Sequence, residues 1–260
     1  TVQGKGTRVV GANFSGRMSG KVVEAFVSKA DLLAASPAYS DQSGVDWKTA
    51  AASAAKVLNH IGGVDGMDPT GWTWYCNVDD IEKLSPTESP AEILWRGERA
   101  KSLSLEEDNF PPTLYGNGRI NPTQNLVDAF PMLNGYPVSH LSGEYDENLP
   151  YANRDPRLEA YILYNGCKAG NTNKEIFTAA DGTTNDALNK VVGRSTRTGY
   201  YLRKLLRQDI SLDPNAKADQ YHYTPRIRYT EIFLAYAEAA NQAYGPQDKG
   251  GNGYSAYDVV

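Results

Sequence analysis

The side chains in this sequence best suited to recognition chemistry are rings rather than acids or thiols. GWTWYCN, residues 71–77, sets Trp72 and Trp74 two apart. In an extended loop both indoles turn to one face with Cys76, while Tyr75 faces the other way. Paired rings can stack on the apolar faces of pyranoses, and Asn77 can hydrogen-bond their hydroxyls. A second loop, FPPTLYGNG at 110–118, offers Tyr115 and Asn117, its prolines and glycines shaping the turn. Trp72, Trp74, Tyr75, Asn77, Tyr115 and Asn117 are therefore the candidate ligand-binding residues. The competing role for any one ring is to anchor its loop in the core.

Covalent chemistry finds less footing. The histidines are His60, His140 and His222, and none has a second His or a Cys at metal-ligand spacing, so no metal site is expected. GKGTRVVG near the start matches neither a phosphate-cradling loop nor the dinucleotide fingerprint, and no GxSxG elbow occurs. A glycosidase needs only two carboxylates. The candidates are Asp79 with Asp80, Glu106 to Asp108, and Glu144, Asp146, Glu147 and Asp155, each among polar turn residues where a solvated carboxylate is the default. The Glu144–Asp155 stretch is dense enough in hard oxygen ligands to raise calcium, yet it lacks the EF-hand pattern, and no cofactor is predicted. Catalytic residues are predicted to be absent. Cys76 and Cys167 leave both the paired and the free state open.

Composition points the same way. Seventeen Tyr and 4 Trp against 6 Phe favour surfaces with a flat apolar face and a polar handle. A net charge of -5 disfavours nucleic acid, whose phosphates demand a basic surface. Mean hydropathy is -0.52, and no run approaches the roughly 20 apolar residues of a membrane span.

The elements that must position these loops begin with a helix from Ser19 to about Ser36, with Val22, Phe26, Ala30 and Leu33 as its stripe, closed by Pro37. Asp46 caps a second helix whose face is Trp47, Ala51, Ala54, Leu58 and Ile61, and the small residues at 50–55 let the two axes approach closely. Thr224 and Pro225 read as N-cap and N1 of a third helix with Tyr229, Ile232, Phe233, Tyr236, Ala237 and Ala240 on one face, stopped by Gly245 and Pro246. Between these, one helix is expected at 121–130, capped by Asn121, and strands at 93–96, 158–164 and 200–206.

The fold class expected is mostly α: tetratricopeptide-like helical hairpins with an inserted irregular α+β, loop-rich subdomain. The divisions are 1–62 (helical), 63–222 (loop-rich, ligand-binding) and 223–260 (helical). The first ten residues carry no signal pattern or lipidation cysteine, and Ser255 opens a helix without a stop, so a segment of a longer protein is expected.

Several segments together resemble the SusD/RagB family of bacterial nutrient-binding outer-membrane lipoproteins. They are GRMSGKVVEAFVSKADLLAASPAYS (16–40), NPTQNLVDAFPMLNGYPV (121–138), RDPRLEAYIL (154–163), TGYYLRKLL (198–206) and PRIRYTEIFLAYAEAANQAYG (225–245). The resemblance implies a tetratricopeptide-like half, a glycan ligand, a SusC-like TonB-dependent transporter as partner, and a lipid anchor holding the protein on the outer face of the outer membrane. Within these motifs Asp155 and Arg157 are expected to pair across a turn, and Arg228 with Glu231 at i,i+3, both as scaffold. Two other classes stay open: a carbohydrate-active enzyme built on a carboxylate pair, and a helical-repeat adaptor that binds protein through its groove.

Overall fold

The computed structural model describes residues 17–76, 81–82 and 89–260. Its helices there are α1 (Gly20–Ala35), α2 (Ser40–Ser43), α3 (Trp47–Leu58), α4 (Ser104–Asn109), α5 (Gln124–Ala129), α6 (Pro156–Tyr161), α7 (Tyr229–Tyr244) and α8 (Ala256–Val259). The strands are β1 (Ile93–Arg96), β2 (Ala100–Ser102), β3 (Ile162–Leu163), β4 (Lys168–Ala169), β5 (Lys174–Glu175), β6 (Tyr201–Leu202), β7 (Gln220–His222) and β8 (Pro225–Arg228). Among the described residues they form antiparallel two-stranded ladders, β1 with β8, β2 with β7, β3 with β6 and β4 with β5. The chain divides into two compact units, Thr1–Trp74 with Val78–Arg99 and Tyr223–Val260, and Tyr75–Asn77 with Ala100–His222. The fold is helical with a mixed α+β part, and no described helix is long and apolar enough to cross a membrane.

The first unit is built on α1, α3 and α7. Ala50, Ala51, Ala54 and Ala55 are buried on α3 and share one core with Val22 and Ala25 of α1 and Ile232, Phe233 and Tyr236 of α7. The close approach expected from the alanine runs is present. The stripe expected on α1 is not: Phe26 and Leu33 are 42% and 60% exposed, and the buried side runs through Val22, Ala25, Ser28 and Ala35. Close packing selects the small side chains and leaves the bulky ones outside.

Pro225 does not start a helix. Residues 225–228 form β8 against β1, with Ile227 opposite Trp95, and α7 begins only at Tyr229. A proline's fixed φ serves the first residue of a strand as well as the first turn of a helix. The start of α7 is satisfied from outside the helix, because the Glu92 carbonyl accepts from Tyr229 N (2.9 Å) and its carboxylate Oε1 from Thr230 N (3.3 Å). Oε1 of Glu92 also takes Arg228 Nε at 2.9 Å, while Glu231 pairs with Lys29 at 2.6 Å, so the expected Arg228–Glu231 pair is replaced by two longer-range ones.

The second unit has one core around Phe110, Leu163, Ile176, Tyr201, Leu206 and Ile210 and another around Val127, Leu158, Ile162 and Tyr200. Residues 156–161 are helical, where the apolar cluster at 158–164 suggested a strand; Asp155 caps the turn by accepting from Arg157 N, and its carboxylate pairs with Arg157 as expected. The α5 cap is Thr123. Asn121 ties loops together instead, donating to Gly118 O and accepting from Arg197 N.

Arg154, 7% exposed, anchors the end of α5. Its guanidinium donates to Val127 O (2.7 Å), Phe130 O (2.8 Å) and Pro150 O (2.8 Å), carbonyls at the end of a helix and in a turn.

Glu106 lies on α4 and is fully buried, contrary to the solvated turn expected for it. Its Oε1 accepts from Arg207 N (2.8 Å) and His222 Nε2 (3.0 Å), and Arg207, equally buried, holds Asp209. The other ring nitrogen of His222 faces the Gln220 carbonyl at 3.1 Å, so the imidazole sits between two acceptors. Burial alone would lower its pKa, but the hydrogen bond and charge of Glu106 outweigh burial and the opposing Arg207, and the pKa is raised. With a folded pKa above the unfolded value of about 6.5, this contribution is complete below that pH and fades as pH rises through the folded pKa. Urea unfolding should show stability declining over that interval, and His222→Gln should flatten the decline. An unchanged slope in the variant would show that His222 is not its source.

Candidate ligand-binding site

Tyr115 owes its position to the loop that follows α4. Pro111 and Pro112 lead into a 3-10 turn at Pro112–Leu114, and Tyr115 ends it in the left-handed region with φ 67°. The chain then folds back on itself, Asn117 N donating to Glu107 O (2.9 Å) and Gly118 N to Phe110 O (3.0 Å). Only glycine fits at 116, where a Cβ would stand 2.1 Å from Phe110 O. Arg194 fastens the same bend by donating to Gly116 O at 3.0 Å. The fold-back buries Phe110 and Leu114 and leaves the Tyr115 ring 45% exposed.

That ring borders a pocket of about 130 Å³ within the second unit. Its floor is apolar, from Phe110, Leu114, Ile210 and Leu212, while Asn171, Thr172, Lys174, Ser211 and Asp213 add polar groups. An apolar base, an aromatic edge and a few polar groups are what a small polyhydroxylated ligand requires. None of the residues from 171 to 216 was legible as part of a site, because their only link to Tyr115 is tertiary.

The tryptophan loop is placed differently. Residues 71–73 form a 3-10 turn rather than an extended stretch, so spacing by two no longer puts Trp72 and Trp74 on one face. Trp74 is 6% exposed in the first unit, its ring 5.2 Å from that of Tyr223 and 5.9 Å from the Arg228 guanidinium, and Tyr223 Oη donates to its carbonyl. Trp72, in the same unit, is half-buried. Tyr75 is buried in the second unit, donating its hydroxyl to Ala160 O at 2.9 Å, and burial pushes its pKa up. Asn77 lies outside the described residues. Asn117 is half-buried and does not line the pocket, so of the five candidates among the described residues only Tyr115 lines it.

Other chemistry is dispersed. Asp108 pairs with Arg119 at 3.2 Å, and Glu144, Asp146 and Glu147 are exposed. Among the described residues no group of three or more His, Cys, Asp or Glu side chains is gathered to hold a metal ion. Asp79 and Asp80 lie outside those residues. Cys76 and Cys167 form no disulfide, and burial pushes the Cys167 thiol up to about 11, away from reactivity at neutral pH.

Comparison with known proteins places this arrangement. No curated protein matches the chain in sequence. Among solved structures, a SusD-like carbohydrate binding protein from Bacteroides fragilis superposes with a TM-score of 0.64 at 21% identity, over 94% of this chain and 44% of its own. A second SusD-like protein from the same species gives 0.61 at 23%, over 90% and 45%. The chain thus spans less than half the length of these two neighbours, which share its fold. The sequence model of the SusD family matches residues 94–258, a stretch that takes in the Tyr115 loop, its pocket and α7, and the chain therefore belongs to the SusD family.

Proposed function

We propose that this chain is part of a cell-surface protein that binds oligosaccharides without breaking them and presents them to a SusC-like TonB-dependent transporter in the outer membrane, to which a lipid anchor keeps it close. The observation that carries the binding step is the Tyr115 pocket: a presented ring beside an apolar floor with convergent polar groups. Membership of the SusD family and the carbohydrate-binding neighbour support the same reading. The helical pair α1–α3, with α7 against it, supports the reading of the first unit as a tetratricopeptide-like scaffold.

Stacking plus a few hydrogen bonds gives affinities in the micromolar to millimolar range, about -8 to -4 kcal/mol, which suits a protein that must let its cargo go. Calorimetry against a panel of neutral and charged oligosaccharides tests the reading. Tyr115→Ala is expected to weaken binding by about 1–2 kcal/mol, roughly 5- to 30-fold, while leaving thermal unfolding unchanged. Wild-type affinity in the variant would remove the pocket from the proposal, and silence across the whole panel would remove the function.

A further inference from the structure

The Tyr115 pocket carries a charge that recognition of hydroxyls does not call for. Lys174 on β5 lines it, with Nζ 5.4 Å from the Tyr115 ring centroid and 3.5 Å from the Thr113 carbonyl oxygen. An ammonium has three donors, and one carbonyl at the long limit of hydrogen bonding leaves most of that capacity unspent. Lys174 forms no ion pair among the described residues.

Two carboxylates lie nearby: Asp186, which feels the charge of Lys174 and keeps Oδ2 unpartnered, and Asp213 in the lining, each with its other oxygen on a backbone N–H. Asp213, the carboxylate in the lining, turns Oδ1 back into its own loop, accepting from Asn215 N at 2.9 Å. Asp186 is fully buried with Oδ1 on Thr113 N at 2.8 Å, and burial raises its pKa despite the field of Lys174. The rest of the floor is apolar, which strengthens any ionic contact made above it.

We propose, on the basis of the binding reading above, that this pocket selects acidic sugars: a pyranose lies against Tyr115 and sets its carboxylate on Lys174 Nζ. Neutral pyranoses would keep the ring contact and lose the charge-assisted bond, which is stronger than the neutral hydrogen bond a hydroxyl could put in its place. Lys174 is thus the residue that sets specificity, and Tyr115 the one that sets binding.

Matched ligands isolate the charge. The full chain would be titrated calorimetrically with oligogalacturonides and oligoglucuronides, with the methyl ester of each, and with neutral gluco- and galacto-oligosaccharides. The free acids are expected to bind about tenfold tighter than their own esters at low salt, with the gap shrinking as salt screens the pair. Lys174→Ala should abolish the gap and Lys174→Arg should retain it, with thermal unfolding reporting that each variant is folded. If alanine unfolds the chain, the acid-to-ester ratio and its salt dependence in the wild type decide alone. Equal affinity for acid and ester, or binding of neutral sugars only, overturns the selectivity while the glycan-binding reading stands. No binding by any arm overturns both.

Discussion

Glu106→Ala is expected to lower the free energy of unfolding by about 3 kcal/mol or more, read from the urea midpoint at constant slope. The carboxylate is wholly buried and receives Arg207 N and His222 Nε2 on one oxygen. Truncation strands a backbone donor and an imidazole beside the buried Arg207 guanidinium, and leaves a cavity where the side chain stood. Glu106→Gln keeps the volume and an acceptor, so its cost should be well below that of alanine. A loss under about 1 kcal/mol for alanine would mean that the network relaxes and that Glu106 is not its hub.

Arg154→Met should be comparably severe, again about 3 kcal/mol, because three hydrogen bonds from one charged group to carbonyls vanish together. Methionine preserves the stem's packing, which confines the loss to the polar contacts. Lysine restores the charge without the planar fork that serves three acceptors at once, so Arg154→Lys should recover less than half of the deficit. Faster amide exchange confined to residues around 124–130 would place the damage at the end of α5. A variant with unchanged midpoint and exchange would show that solvent serves those carbonyls equally well.

What could be read from the residues follows from where the information lies. The alanine face of α3 and the apolar face of α7 were legible because burial along a helix repeats locally. The strand at 93–96 was legible from aliphatic and aromatic residues clustered between turn signals. Errors arose where one residue type serves two purposes. Pro225 opens a strand although a proline after threonine reads equally as a helix start, and residues 158–161 read as strand although Asp155 and Pro156 already spelled an N-cap and N1, the strand being confined to Ile162–Leu163. On α1 the bulky apolar residues were the loudest signal, yet contact was made by the small ones.

The site was half legible. Tyr115 could be picked out from a loop rich in proline and glycine, whereas Lys174 and Asp213 come from segments that share no pattern with it. Trp74 was chosen for its chemistry and is packed between Tyr223 and Arg228, since a large ring is as useful to a core as to a cargo. The Arg228–Glu92 and Glu106–His222 pairs span more than a hundred residues each, a distance over which sequence patterns are silent.

The left-handed backbone at Tyr115 has a further meaning. A bulky side chain with φ 67° sits where the main chain would rest more easily with glycine, a difference on the order of 1 kcal/mol. The loop therefore meets that cost in the folded chain itself, so its main chain has little ordering left to surrender when something flat settles on the ring.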